Sequence, residues 1–448
     1  MEKQLPKNWV EIPFTDIFDI NGGTQPPKSV FIDEPRDGYI RLLQIRDFGK
    51  KPVPTYIPDT GKLMTCQKDD ILIARYGASI GRIVTGMEGS YNVALAKVDI
   101  PQNMNKSFVK WILKSNLFQE PILSIQRTAQ NGFNKTDLAS IYIPLPPLNE
   151  QNRIVTKLEC LFDQLESIKT SMATIPVLLK DFRQQVLTQA VTGKLTESWR
   201  VGKELEEWKE MKVGNLIDSI QAGKSFLCLE TSVSQGQVGL VKISAVTWNQ
   251  FNQKETKTVE DKSRINNAFF IKKGDFLISR ANTLELVGSS VIVHEIDFDI
   301  MLSDKVWRIN FKEELNKKYL NYYLKTKKGR SEIESRATGN QLSMRNISQN
   351  SFKDIDIKLP SLKEKIEIIR SIESLFTKAD AIEKQYETLK KKIDTLPQAI
   401  LHKAFKGELV EQLDTDGDAR ELLQQIQELK GLSIKVEKKK VVTKKVKL

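Results

Sequence analysis

The stretch LPPLNEQNRIVTKLECLFDQLESI at residues 145–168 returns 214 residues later as LPSLKEKIEIIRSIESLFTKADAI at 359–382. Laid over each other without a gap, residues 145–197 and 359–411 agree at 16 positions, from Leu145 and Leu359 to Glu197 and Glu411. An ungapped match of that length marks a duplication, so the chain is two copies of one plan and not a single unrepeated globule.

Within the first copy Ile154, Leu158, Leu161, Leu165, Ile168, Met172 and Ile175 are separated alternately by four and three residues. In the second, Ile368, Ile372, Leu375, Ala379, Ile382, Tyr386, Leu389, Ile393 and Leu396 follow the same alternation. This is the a/d seam of a coiled coil, so each copy predicts a long helix that needs a partner along its length. The two helices are expected to pack on each other, antiparallel because a further segment lies between them. A self-sufficient hairpin in each copy, or pairing with another chain, is the alternative. Pro176 predicts an early end to the first long helix, whereas the second is expected to run to about Asp394, with Pro397 beyond it. A shorter helix then follows in each copy, closed by Gly193 and Gly407. A helix of about 25 residues spans roughly 38 Å, near the ~34–36 Å of one DNA turn, and could serve as a ruler.

The text before each copy differs, yet it shares a scaffold. LPKNW (5–9) is echoed by LEEW (205–208), GYIRLLQI (38–45) by GLVKISAV (239–246), and KDDILIAR (68–75) by KGDFLISR (273–280). The organisation expected is a recognition domain over 1–144, a central helical region over 145–200, a second recognition domain over 201–358, a distal helical region over 359–431 and a basic disordered tail over 432–448. The fold class is α+β: two β-rich mixed domains joined by two long helical regions that form an antiparallel coiled coil, with an internal pseudo-twofold duplication.

The excess of 69 Lys and Arg over 57 Asp and Glu gives a net charge of +12, which favours a polyanionic partner and by itself gives a leaning towards nucleic acid, not a conclusion. Part of it lies in KVEKKKVVTKKVKL (435–448), read as a solvated segment or a non-specific DNA contact. Polar and basic residues follow the strands in loop-like segments, where Arg, Lys, Asn and Gln can pair with base edges and Gly lets backbone approach phosphate. In the first domain these are Thr24, Gln25, Lys28, Arg46, Arg75, Tyr76, Ser79, Arg82, Gln130, Asn131, Asn134 and Lys135. In the second they are Lys224, Ser225, Lys242, Trp248, Arg280, Asn282, Thr283, Asn340, Gln341 and Arg345. Arg75 and Arg280, at equivalent strand ends, lead both sets; ordinary turn chemistry is the competing explanation for any one of these residues.

Catalytic and metal-binding material is scarce. The two histidines, His294 and His402, have no nucleophile or ligand set beside them in sequence, and Cys66, Cys160 and Cys228 lack paired spacing and are expected as buried thiols. AGKS (222–225) lacks the glycine that a phosphate-binding loop requires five positions before Gly223. DTDGDARELL (414–423) lacks the calcium-loop Gly and Glu, so a turn capping the last helix through Asp416 or Asp418 accounts for it. No metal site is expected. No run of apolar residues approaches a membrane span and the first residues lack a signal-peptide core, so the expected location is the cytoplasm.

With IPLPPLNEQ (143–151) and IKLPSLKEK (357–365), FRQQVLTQAVTGKLTESWR (182–200) and LPQAILHKAFKGELVE (396–411), DILIAR and GDFLISR, and DARELLQQIQEL (418–429), the whole chain resembles the specificity subunit of type I restriction–modification enzymes. The central FRQQVLTQAVTGKLTESWR looks closest to the enterobacterial K-type branch. The second copy departs from the first in having LKEK for LNEQ, which puts the contacts at that helix start in question. The resemblance implies a subunit non-catalytic by itself, whose two recognition domains each read one half of a bipartite, asymmetric DNA site. Its helices would fix the spacer and dock two methyltransferase subunits that methylate adenine N6, and two restriction/translocase subunits would complete the complex. No cofactor is implied on this chain; S-adenosylmethionine, ATP and Mg2+ belong to those partners. A coiled-coil scaffold with an incidental basic surface and a self-contained DNA enzyme are the alternatives.

Overall fold

The computed structural model describes residues 5–128, 132–247, 250–341 and 344–431. The chain forms two compact units, Met1–Met172 with Thr388–Leu448, and Ala173–Glu387. Each unit therefore draws helical segments from both copies of the repeat.

In the first unit Val10–Pro13 pairs antiparallel with Tyr142–Leu145. Between them in sequence, Asp19–Gly22, Leu95–Asp99, Leu72–Ala74 and Ile83–Val84 form an antiparallel sheet in that order. A second sheet runs Tyr56–Pro58, Tyr39–Leu43, Gly89–Tyr91, Thr65–Cys66, and its middle pair is parallel. The second unit repeats the plan. Lys209–Lys212 pairs with Asp356–Leu359, and Ile217–Ala222, Val306–Phe311, Phe276–Ser279 and Ser290–Ile292 form the first sheet. Thr256–Thr258, Val238–Val241 and Asp299–Met301 form the other, with the corresponding parallel pair. GYIRLLQI with GLVKISAV and KDDILIAR with KGDFLISR thus occupy matching strands, and LPKNW and LEEW each lead directly into the first strand of their unit. Ile71–Ala74 and Phe276–Ser279 are buried at every position, as a strand covered on both faces requires, and so carry no alternation. Two helices complete each domain, Lys106–Lys114 with Asn116–Thr128, and Glu314–Leu324 with Lys327–Arg336.

The first repeat forms Leu148–Ala173, then Ile175–Val191 with Pro176 in its first turn, where the missing N–H costs nothing. The second repeat departs from expectation. One helix of 44 residues, Leu362–Phe405, continues through Pro397, so the shorter helix expected to end at Gly407 is its last part and not a separate element. Leu401, Ala404 and Phe405 beyond the proline are buried in the first unit's core, and Gln398 hydrogen-bonds both Asn116 N and Lys114 O. This burial offsets the roughly 3 kcal/mol an interior proline costs. Gly193 and Gly407 take the left-handed conformation at φ +76° and +72°, as expected of helix ends.

In the second unit Val186, Leu187 and Ala190 share a core with Ile368, Ile369 and Ile372, and Arg183 pairs with Asp380 at 2.7 Å and Glu383 at 2.8 Å. Rising numbers on one helix meet falling numbers on the other, so these segments run antiparallel. Of the seam residues, Ile154, Leu158, Leu165, Ile368, Ile372 and Ala379 are buried and Leu161 and Leu375 half-buried. Ile168 and Ile382 correct the expectation: they are 48% and 49% exposed, so the heptad pattern extends further than the burial does. Among the cysteines only Cys66 is buried; Cys160, off the seam, is exposed and Cys228 is half-buried. Asp418, not Asp416, caps the helix over 419–431, accepting from Arg420 N at 2.8 Å. No helix among the described residues is long and apolar enough to cross a membrane.

The twins Glu150 and Glu364 are both buried at the starts of the repeated helices. Trp9 Nε1 donates to Glu150 Oε2 at 2.8 Å and Trp208 Nε1 donates to Glu364 Oε2 at 2.8 Å. A Cβ on Gly407 would lie 2.3 Å from Pro6, and one on Gly193 would lie 3.3 Å from Trp208, so each glycine end rests beside the indole of its unit. Next to the glutamates, the LNEQ/LKEK difference places Gln151 and Lys365 at buried twin positions. Gln151 bonds Asn105 N and Pro146 O, whereas Lys365 donates to Asn316 Oδ1.

Candidate nucleic-acid interface

In the first domain the strand Asp19–Gly22 ends at Gly23, whose absent Cβ would lie 2.1 Å from Asn92 O, so only glycine lets this loop lie against residues 91–95. Gly23 N donates to Leu95 O and Thr24 N to Tyr91 O. Arg75, at the end of Leu72–Ala74, donates its backbone N–H to Ala94 O at 2.8 Å, and its Nε and Nη2 to Phe133 O at 3.3 Å each. Its guanidinium also lies 5.2 Å from the Tyr76 ring centroid. The loops at 23–28, 75–82, 91–95 and 132–135 are thereby brought to one edge.

The second domain builds the same edge. Gly223 replaces Gly23, with a Cβ position 1.8 Å from Leu302 O, and Ser225 Oγ donates to Asp304. AGKS is thus a close-approach turn. Arg280 N donates to Lys305 O at 2.9 Å, and Arg280 O accepts from Ile347 N at 3.0 Å. Ala281–Asn282 pairs with Met344–Asn346, setting Asn282 opposite Arg345. The loops at 223–229, 280–287 and 302–305 and the strands Thr338–Gln341 and Met344–Asn346 are collected as their counterparts are.

Gln25, Lys28, Tyr76, Lys224, Thr283 and Gln341 expose their side chains. Arg46 donates to Thr55 Oγ1 at 3.2 Å, Arg82 to Phe48 O at 2.5 Å, and Lys135 pairs with Asp19 at 2.6 Å. Thr24 Oγ1 accepts from Met64 N, Lys242 lies 3.7 Å from Glu230, and Ser79 ends the half-exposed turn Gly77–Ser79. Asn134 caps the short helix Lys135–Leu138 through Thr136 N and Asp137 N. Arg345 Nη1 donates to Gly339 O, and the buried Nε of Arg345 and of Arg280 has no acceptor among the described residues. Asn340 lies in the strand Thr338–Gln341. Asn282 is buried, with Oδ1 accepting from Thr283 N and Nδ2 donating to Ser279 Oγ, so its side chain serves the turn after Arg280 in this structure. Gln130, Asn131, Trp248 and the tail 432–448 lie outside the described residues.

Sequence reasoning missed Arg330. It donates to Val287 O at 2.6 Å and Leu284 O at 2.8 Å and pairs with Glu334, holding the loop that follows Arg280. Burial lowers its pKa against the opposing pull of Glu334. Nothing in the sequence links Arg330 to carbonyls more than forty positions earlier. Chemically, each edge offers amide, hydroxyl and guanidinium groups on loops pinned by backbone hydrogen bonds, an arrangement suited to binding DNA.

A family model described as the type I restriction modification DNA specificity domain matches residues 6–176 and 205–391, once over each domain with its long helix. The chain is 28% identical over 429 residues to the EcoKI specificity subunit of Escherichia coli strain K12, covering 91% of each chain. It is 26% identical over 426 residues to the StySPI specificity subunit of Salmonella potsdam, again over 91% of each. Among solved structures, a chain from a study of complex assembly and conformational transition in the type I R-M system superposes with TM-score 0.63 at 18% identity, covering 91% of this chain and 100% of that one. The HsdS subunit from Thermoanaerobacter tengcongensis gives 0.59 at 18% identity, covering 91% and 99%. Both share the fold.

Proposed function

Because this chain belongs to the type I restriction modification DNA specificity family, we propose that it is the DNA-reading subunit of a type I restriction–modification complex. Each recognition domain reads one half of a bipartite, asymmetric site, through the edge at 23–28, 75–82 and 132–135 in one unit and at 223–229, 280–287, 338–341 and 344–346 in the other. The observation that carries this reading is the pairing of like scaffold with unlike loops. The strand orders correspond between the units, while Gly23 leads into Thr24-Gln25-Pro26-Pro27 and Gly223 into Lys224-Ser225-Phe226-Leu227. Identical loops would read a palindrome; these would not.

The repeated helices set the gap between the half-sites and dock two methyltransferase subunits, which methylate adenine N6. Two restriction/translocase subunits complete the assembly and cut unmodified DNA. The chain itself is non-catalytic; S-adenosylmethionine, ATP and Mg2+ are held by the partners, and the complex works in the cytoplasm. A helix of 26 residues, such as Leu148–Ala173, is about 39 Å long, comparable to the ~34–36 Å of one DNA turn, which supports the spacer role.

Long-read methylome sequencing of cells carrying this chain with its methyltransferase subunit, against cells lacking this chain, tests the proposal. The expected result is a new N6-methyladenine pattern at a split motif with a fixed gap. An assembled complex that leaves no split motif would overturn it in favour of a scaffold.

A further inference from the structure

Leu227 is 95% exposed, the most exposed of the large hydrophobic side chains among the described residues. It does not sit on a free tip. Gly223 N is bonded to Ser303 O and Ser225 Oγ to Asp304 on one side, and Leu229 exchanges both backbone hydrogen bonds with Thr258, at 3.0 Å each, on the other. Its neighbours Phe226 and Cys228 both pack against the cluster of Leu240, Val259 and Met301. Two anchored residues facing inward force the one between them outward, so the loop holds an aliphatic side chain in water. Exposing that surface forfeits burial that any polar residue would not need.

The surroundings indicate what covers it. The adjoining hollow, about 720 Å³, is lined by Lys224, Ser225, Phe226, Arg264, Asn266 and Asn267 among others; its two cations are inside the lining, while the carboxylates of Asp261, 3.3 Å from Arg264, and Asp304, on Ser225, stand behind it. The Arg264 guanidinium lies 6.0 Å from the Phe226 ring centroid, an arrangement that keeps its charge beside the loop. An apolar finger flanked by cations and amides matches a nucleic-acid groove, where the cations take phosphate and the aliphatic group meets base edges or enters a base step. The corresponding loop of the first unit, Thr24-Gln25-Pro26-Pro27-Lys28, has no large aliphatic residue.

We propose that Leu227 is a specificity-determining residue that makes direct apolar contact with bases of the second half-site. This rests on the DNA-reading function proposed above. The test maps methylation motifs for the full complex with Leu227→Ala, Leu227→Asn and, as a control on another exposed aliphatic outside the recognition loops, Val201→Ala. Discrimination at one or two positions of one half-site should fall roughly tenfold in both Leu227 variants, the scale of a lost base contact. The other half-site, the gap and the thermal midpoint should stay unchanged. A wild-type split motif that both Leu227 variants reproduce without relaxation overturns the inference and leaves the DNA-reading function standing. Equal relaxation in Val201→Ala, or relaxation of both half-sites together, overturns it as well. Absence of any split motif in the wild type defeats the function itself, so the two failures are distinguishable.

Discussion

At Glu150 and Glu364 one residue type, at one position of a repeated helix, is stabilised by different neighbours. Both accept from a tryptophan, but the free oxygen of Glu150 takes Gln412 Nε2 at 2.6 Å, while that of Glu364 takes Thr196 Oγ1 at 2.7 Å with Arg200 Nε 3.3 Å away. Burial raises the pKa of Glu150, with the Trp9 and Gln412 hydrogen bonds opposing. Only between the ordinary value near 4.5 and the raised one does the folded form bind a proton that the unfolded chain has released, so stability falls as pH rises through that window. Glu150→Gln should remove that slope while keeping an acceptor for Trp9, because the Gln412 amide can turn to accept from the new NH2. Unfolding followed from pH 4.5 to 7 should show the wild-type decline and a flatter variant; a slope left intact would assign it to another group. Glu364→Gln strips Arg200 of its counter-charge and should cost about 1 kcal/mol, limited by the partial exposure of Arg200. Chemical denaturation of the two variants side by side should separate them, and equal losses would contradict the difference in partners. LPKNW, LEEW and the glutamates of LNEQ and LKEK all recur in the sequence, so the elements of this contact were visible. Their meeting was not, since indole and carboxylate stand more than 140 positions apart.

For whole elements, the heptad spacing identified the helices but not the depth of their contact. Ile154 and Ile372 are fully buried, whereas Ile168 and Ile382, at equally regular positions, keep about half their surface in water. Ile154→Ala or Ile372→Ala should cost about 2–5 kcal/mol, through lost burial and the cavity left behind. Ile168→Ala and Ile382→Ala should cost less than about 1 kcal/mol. Denaturant midpoints for the four variants check this; comparable losses at all four would mean that the seam is closed in solution throughout. Spacing sets which residues share a face, and exposure depends on what arrives opposite, which no local pattern encodes. Pro397 makes the same point. Local rules end the helix before it, yet Leu401, Ala404 and Phe405 gain a core by continuing. The strands were legible because DILIAR and GDFLISR are apolar throughout and bounded by turns. The loops were legible only in part. Arg75 stood out as a cation at a strand end, but its acceptor, Phe133 O, lies 58 positions away and shows the side chain to be also a strut.

For the molecule as a whole, a repeat says that two things are alike without saying which copy completes which unit. The first unit is closed by the end of the second copy and the second by the end of the first, because Gly407 lies beside Trp9 and Gly193 beside Trp208. With each long helix engaged through both copies, a spacer-setting role demands that both be lengthened together. Four residues inserted after Ser167 and four after Ala381, twin positions beside the half-exposed Ile168 and Ile382, add about 6 Å of helix. That distance is close to two base pairs at about 3.4 Å each. Four residues make slightly more than one turn, so the seam beyond each insertion is rotated by only about 40° and can repack. Methylome sequencing of the doubly extended variant should return the same two half-sites with the gap widened by about two base pairs. Extending one helix alone should instead cost stability without giving a defined new gap, since its partner no longer matches it. A doubly extended variant that methylates at the original gap would remove the spacer from the helices and assign it to the partner subunits.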